Sequence, residues 1–306
     1  MHRKLSSRAG GSALLLVLWS LLLLSMSVFG VVEIVQSSVS HAAHLASASQ
    51  ARALAMTGLS IASHPDMKPG NSLLQQQPAA GEKLEVTLRG EAGRINLNYV
   101  LEKAHRDILV RLFTGWGLKQ AQAAGVADCL YDWITPGDKP SPNGAKEADY
   151  RHAGMPNIPT GKPFTSFAEV AEVMGMSAVE KVNPDWQDSF TLLSDGPLDV
   201  NEASPELISA VLNLPSSQVE AFVEKRNGKD GLPETQDDVP LADTAALKAA
   251  FGLGDKTFAA ISDQVTVSDP VRRIESTGTV DGVAVVFTVV MRLQSSPPEY
   301  LAWKEL

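Results

Sequence analysis

The residues best equipped for chemistry lie in one short stretch, Asn227-Gly228-Lys229-Asp230-Gly231-Leu232-Pro233-Glu234-Thr235-Gln236-Asp237-Asp238. Hard cations such as calcium need several oxygens held together by tight turns. Asn227, Asp230, Glu234, Asp237 and Asp238 are therefore the candidate calcium ligands. The spacing is not that of an EF-hand, and Lys229 stands where a ligand would be wanted, so a solvated acidic loop is the alternative. Elsewhere the reactive types are scattered. His41 and His44 share a helix face but have no acidic or cysteine partner nearby, which favours packing or solvation. Cys129, the single cysteine, falls in the apolar run CLYDWI and reads as a buried structural thiol. Asp128, Asp132 and Asp138 around Trp133 read as caps and turn residues. No Gly-x-Ser-x-Gly, Walker loop or Rossmann fingerprint occurs, and Gly115-Trp116-Gly117 is a turn or helix end. The sequence offers no enzyme, and no cofactor is required.

The elements that carry these residues begin with an apolar segment. Arg3, Lys4 and Arg8 precede an uncharged run from Ala9 to Val32, long enough to cross a bilayer as a helix. Cations on its leading side keep that end in the cytoplasm and send the rest to the far side, the periplasm of a two-membrane bacterium. The run continues, rich in Ala and Ser and free of proline, until Pro65 ends it. A helix of about 50 residues would measure roughly 75 Å, half within the membrane and half amphipathic outside it. The remainder is polar. With 26 Lys+Arg against 35 Asp+Glu, the 306-residue chain carries a net charge of -9, which argues against a general nucleic-acid binder. One cysteine excludes a disulfide framework.

Beyond Pro65, Leu84–Leu88 and Arg94–Asn98 alternate apolar and polar, and Gly90 and Gly93 suggest a turn that pairs them as strands. Arg273–Leu293 reads as two strands around an Asp281-Gly282 turn. Between these, residues 99 to about 268 are mostly helical, in two blocks. The second block opens at Leu198, with Asn201 or Ser204 as a cap before Pro205. The expected class is α+β: a long N-terminal transmembrane pilin-type helix, a small antiparallel sheet, and a large α-helical insertion with helix-hairpin-helix or SAM-like repeats.

The junction Arg8-Ala9-Gly10-Gly11-Ser12-Ala13-Leu14 resembles the site cut by prepilin peptidase. The cut is placed between Gly11 and Ser12, with Gly10–Gly11 as the second choice. GSALLLVLW, GRINLN (93–98), ADCLYDWITPGDKPSPNGAKEADY (127–150), KPFTSFAEVAEVMGM (162–176) and LDVNEASPELISAV (198–211) follow in order. Together they resemble the minor pseudopilin K family of the type II secretion system. The resemblance implies a prepilin leader at 1–11, a transmembrane and amphipathic helix at 12–64, and the first strands of a pilin-like sheet at 82–98. It further implies helical subdomains at 99–197 and 198–268, and sheet-completing strands at 272–306.

The implied role is at the tip of a pseudopilus, supporting its assembly and protein export across the outer membrane. The implied partners are minor pseudopilins I and J, other pseudopilins, prepilin peptidase, the inner-membrane secretion platform and the secreted substrate. Calcium binding is likewise implied by the family. Most pilin-like subunits carry glutamate at the fifth mature position; here that position is Leu16, or Leu15 for the alternative cut. An intramembrane carboxylate is costly unless paired, so its absence fits a subunit with none above it. A minor pilin of a related type IV pilus or competence system is the nearer rival. The other rival is a membrane-anchored DNA-binding module. Its phosphate-binding glycine hairpin is replaced here by Leu214-Pro215-Ser216-Ser217, and Lys225, Arg226 and Lys229 are offset by Asp230, Glu234, Asp237 and Asp238, so no nucleic-acid partner is expected.

Overall fold

The first element in the computed structural model is a 54-residue helix, α1 (Ala9–Ala62). The structure describes residues 9–155, 157–233, 235, 237–293 and 297–306, with side chains from residue 13 onward. After α1 come β1 (Gln75–Gln76) and β2 (Glu82–Gly90). The helical region then holds β3 (Ile95–Asn96), α2 (Leu97–Glu102), α3 (Arg106–Gly115), α4 (Gln120–Ile134) and α5 (Glu147–His152). It continues through α6 (Phe167–Ala171), α7 (Met176–Val182), β4 (Phe190–Thr191), β5 (Leu198–Asp199), α8 (Pro205–Leu212) and α9 (Ser216–Arg226). Finally come α10 (Thr244–Ala250), α11 (Asp255–Ile261), β6 (Val265–Thr266), β7 (Val271–Val280), β8 (Val283–Arg292) and β9 (Glu299–Glu305). The class is α+β, with a long apolar helix and an antiparallel sheet.

The sheet has the order β1-β2-β7-β8-β9, antiparallel at every pairing. Burial alternates along β2: Leu84, Val86 and Leu88 point inward while Glu85, Thr87 and Arg89 face out, so one face is covered. The cover is the last part of α1. Ala51, Ala55, Leu59 and Ala62 are buried at helical spacing, and Leu59 and Ala62 share a core with Leu84, Ile274, Val289 and Met291. Small residues let the backbones meet. A Cβ on Gly278 would overlap the Ala51 carbonyl, and one on Gly58 would overlap Ser276 and Leu84. The β7–β8 turn follows the expectation, with Asp281 at φ 49° and Gly282 at φ 83°, the two positive values a tight hairpin needs.

One expected pairing is wrong. Leu84–Leu88 does not pair with Arg94–Asn98 across a Gly90/Gly93 turn; β2 pairs along its whole length with β7. Ile95 and Asn96 instead run parallel to Phe190 and Thr191. Gly90 and Gly93 are small for another reason: a Cβ on either would press on Glu202. The strand β9, which Arg273–Leu293 did not include, completes the sheet edge and carries a bulge opposite Val290/Met291.

The helical region between β2 and β7 has a core of its own, built on Trp133, Trp186, Tyr150, Phe113 and Phe190 with many aliphatic side chains. Each such side chain contributes about 1.5–3 kcal/mol when fully buried. Ser204 caps α8 by accepting from the Leu207 amide, with Pro205 in the first turn. Asn201, the alternative cap, is used otherwise: its side chain bonds the Leu241 amide and the Leu241 and Val267 carbonyls.

Candidate functional site

Among the described residues no single cleft dominates; the candidate geometry is distributed over the helix, the joint and the acidic loop. Along α1, the large apolar side chains from Leu14 to Val39 are exposed, Leu16 at 68% and Phe29 at 74%. An apolar surface of that length is not sustained in water and requires lipid or neighbouring helices. Among the described residues this is the one helix long and apolar enough to cross a membrane. The run from Ala13 to Val32 holds no charged residue, and Glu33 is the first. Gly11 and Ser12 lie within the first turns of α1. The basic residues Arg3, Lys4 and Arg8 lie outside the described residues.

The helical insertion is fastened to the sheet by a buried polar joint. Glu91 is 1% exposed, and its carboxylate accepts from Arg273 Nε at 2.9 Å, Arg94 Nη2 at 2.6 Å and the Thr191 hydroxyl. Burial pushes its pKa up, but the Arg273 hydrogen bond, the Arg94 and Arg273 charges and Thr191 outweigh that and hold it below the ordinary value. The neighbouring Ala92 amide donates to Asp269 Oδ2 at 2.9 Å. No sequence signal marks this joint, because Glu91 and Arg273 are 182 positions apart.

In the acidic loop, Asp237 Oδ2 accepts from the Lys229 amide at 2.6 Å and the Asp230 amide at 3.2 Å. These bonds, with the Thr235 hydroxyl, hold the exposed Asp237 carboxyl down at about 2. The Thr235 Oγ1 lies 2.8 Å from Asp237 Oδ1 and 3.3 Å from Asp238 Oδ1, so two of the expected ligands converge on one hydroxyl. Two others turn elsewhere. Asp230 Oδ1 accepts from the Leu232 amide, while Asn227 accepts from Arg226 Nε and donates to the Gly231 carbonyl. Glu234 lies outside the described residues. Among those described, no group of three or more His, Cys, Asp or Glu is placed to hold a metal.

The aspartates near Trp133 act as turn supports. Asp132 accepts from the Ser141 amide and hydroxyl, at 2.8 and 2.9 Å, and Asp128 accepts from Arg106 and from both nitrogens of Asn143. Cys129 is buried, and burial, then Asp132 and Asp128, push its thiol up to about 12, so it carries no thiolate at ordinary pH.

With this geometry in view, the chain can be set beside known proteins. Residues 93–184 match the family described as Type II secretion system (T2SS), protein K. A type II secretion system protein K from Pseudomonas aeruginosa is 26% identical over 197 residues, covering 60% of this chain and 57% of that protein's length. The chain thus aligns with a little over half of this relative. In fold it resembles a chain of the crystal structure of the GspK-GspI-GspJ complex from the enterotoxigenic Escherichia coli Type 2 Secretion System. The TM-score is 0.62 at 15% identity, covering 89% of this chain and 98% of that one.

Proposed function

We propose that this chain is a minor pseudopilin K of a type II secretion system. In this reading α1 anchors it in the inner membrane as a single pass, with the N-terminus cytoplasmic and the sheet and helical insertion in the periplasm. It sits at the pseudopilus tip with minor pseudopilins I and J, supports assembly of the filament, and so supports protein export. The observation that carries the reading is the division of α1: its first part is bare and apolar, while Ala51, Ala55, Leu59 and Ala62 are locked to the sheet. Such a helix can stay in lipid before assembly and pack against neighbouring helices afterwards. Leu16 in place of a carboxylate suits a subunit that caps the filament. The role is structural, with no catalytic residue assigned.

Prepilin peptidase is the processing partner, cutting at Gly11–Ser12. The test is the intact mass of membrane-extracted protein with and without the peptidase. Loss of residues 1–11 only when the peptidase is present is expected, together with co-purification of subunits I and J; an unprocessed chain in both cases refutes the reading. Loss of surface pili on deletion, with secretion intact, would move the assignment to a type IV pilus.

Two finer elements belong to the same proposal. The helices α8 and α9, joined through Asn213 in a left-handed conformation (φ 53°), are read as a helix-hairpin-helix unit whose phosphate-binding glycines are replaced by Leu214-Pro215-Ser216. The acidic loop is read as a calcium site centred on Asp237 and Asp238, with Asn227, Asp230 and Glu234 as the remaining candidate oxygens. Its support is the convergence of the Asp237 and Asp238 carboxylates on Thr235. Calcium should raise the melting temperature of the wild-type chain and leave Asp237→Asn unmoved; equal melting in calcium and chelator would remove the site.

A further inference from the structure

The chain passes between sheet and helical insertion twice, out through Glu91–Arg94 and back through Val267–Val271, and four carboxylates gather at these crossings. Two have cations as partners, and a third, Asp269, has two backbone amides although burial pushes its carboxyl up. Glu91 holds Arg273 and Arg94. Asp269 accepts the Ala92 and Val271 amides at 2.9 and 3.1 Å. Glu202 holds Arg272 at 3.2 Å. Asp199 differs from all of them. It is 2% exposed, and among the described residues its carboxylate takes one hydrogen bond, 2.9 Å from the Asn201 amide.

The charged groups that face Asp199 are Glu202 in its own loop, Asp269 before β7 and Arg272 on β7. Arg272 is already engaged by Glu202. A buried carboxylate without a cation of its own is better neutral, because ionisation loses hydration that the single Asn201 amide and an Arg272 shared with Glu202 do not replace. Burial first, then Glu202 and Asp269, push the Asp199 carboxyl up to about 7. Its location gives that proton leverage. Asp199 lies in the short parallel ladder of β5 and β6, where the Leu198 amide donates to the Gln264 carbonyl at 2.9 Å and the Val200 amide to the Thr266 carbonyl at 3.0 Å. Its own carbonyl accepts the Glu202 and Ala203 amides, at 3.2 and 2.9 Å.

We propose that this joint is proton-controlled: protonated Asp199 keeps the β5–β6 ladder closed at the base of the insertion, beside the crossing to β7, and ionised Asp199, repelled by Glu202 and Asp269, loosens it. The device concerns the attachment of the insertion and does not depend on the secretion assignment. Its sign follows from linkage. The folded chain binds this proton more tightly than the unfolded one, so the contribution to stability is full below the unfolded carboxylate range. It falls as pH rises through the folded value near 7. Glu91 acts oppositely, but its contribution is complete above the ordinary glutamate range and is constant at neutral pH.

The test is thermal unfolding of the full-length chain in detergent from about pH 5 to about pH 8, with hydrogen exchange of the Leu198 and Val200 amides corrected for intrinsic rates. The wild type should melt lower, and protect these two amides less, at the higher pH. Asp199→Asn should abolish both trends, and Glu202→Gln should move their midpoint to lower pH. An unchanged slope in Asp199→Asn overturns the proposal. If that variant does not fold, the carboxyl carbon shift of Asp199 in the wild type decides: titration near neutrality supports the clamp, and titration below about pH 5 overturns it.

Discussion

The Ser276 hydroxyl donates a 2.8 Å hydrogen bond to the Ala55 carbonyl, joining β7 to α1 at a fully buried position. Two residues along the strand, Gly278 lies against the Ala51 carbonyl. Four helix residues advance about 6 Å and two strand residues about 6.8 Å, so the two contacts repeat in register and fix α1 lengthwise on the sheet.

Substituting valine at Gly278 should separate these backbones. Its Cβ would overlap the Ala51 carbonyl and the Ala55 amide, neither of which is a flexible chain end that can swing away. A loss of about 3 kcal/mol is expected in urea unfolding of the detergent-solubilised chain. A loss below about 0.5 kcal/mol would mean that the helix is not held at this crossing.

Glu91→Gln should leave Arg94 and Arg273 facing one another across a neutral amide. The cost expected for breaking such a buried arrangement is about 3–5 kcal/mol. Because the folded-state pKa of Glu91 is lowered, its contribution is present above the unfolded glutamate value and lost as pH falls through the folded one. The variant should therefore show a shallower acid limb than the wild type in a series of melting curves taken downward from about pH 5.

Cys129 should resist alkylation. With its thiol pushed up to about 12 and its side chain buried, iodoacetamide at about pH 8 should leave the native chain unlabelled and modify it fully after denaturation. Rapid native labelling would show that the α4 core opens readily.

Asp132→Ala should release the loop that follows α4. It removes the acceptor for both the amide and hydroxyl of Ser141, and leaves the Ser141 amide without its partner. A destabilisation of about 1–3 kcal/mol is expected, with new proteolytic cleavage between residues 136 and 144 as the direct readout.

The parts legible in the sequence are those set by neighbours along the chain. Asp281-Gly282 fixes its hairpin through two backbone angles, and the apolar run before Pro65 fixes α1 through composition. The pairing of β2 was not legible, because its partner β7 is separated from it by the whole insertion and Gly90 and Gly93 mimic a turn while serving to admit Glu202. The strand β9 falls within the 272–306 segment expected to complete the sheet, but its own limits were not legible: Glu299–Glu305 owes its place to pairing with β8 more than to any alternation of its own. Among the candidate ligands, Asp237 and Asp238 meet at Thr235, but sequence proximity could not foresee that Asn227 and Asp230 would spend their oxygens on local turns. Asp199 was not legible because its character comes first from burial, which the packed fold imposes, and only then from Asn201 and Glu202 nearby and from Arg272 and Asp269 delivered by distant chain.

The lengthwise register of α1 on β7 also sets how the molecule bears mechanical load. Of the 54 residues of α1, those before Ser47 form a lever of roughly 57 Å, while Ser47 reaches Asp281 and the rest lies flat on the strands. A pull along that lever would load the Ala51–Gly278 and Ala55–Ser276 contacts together, in shear, instead of peeling them one after another. Withdrawal of the anchor from lipid would then move the sheet as a rigid passenger.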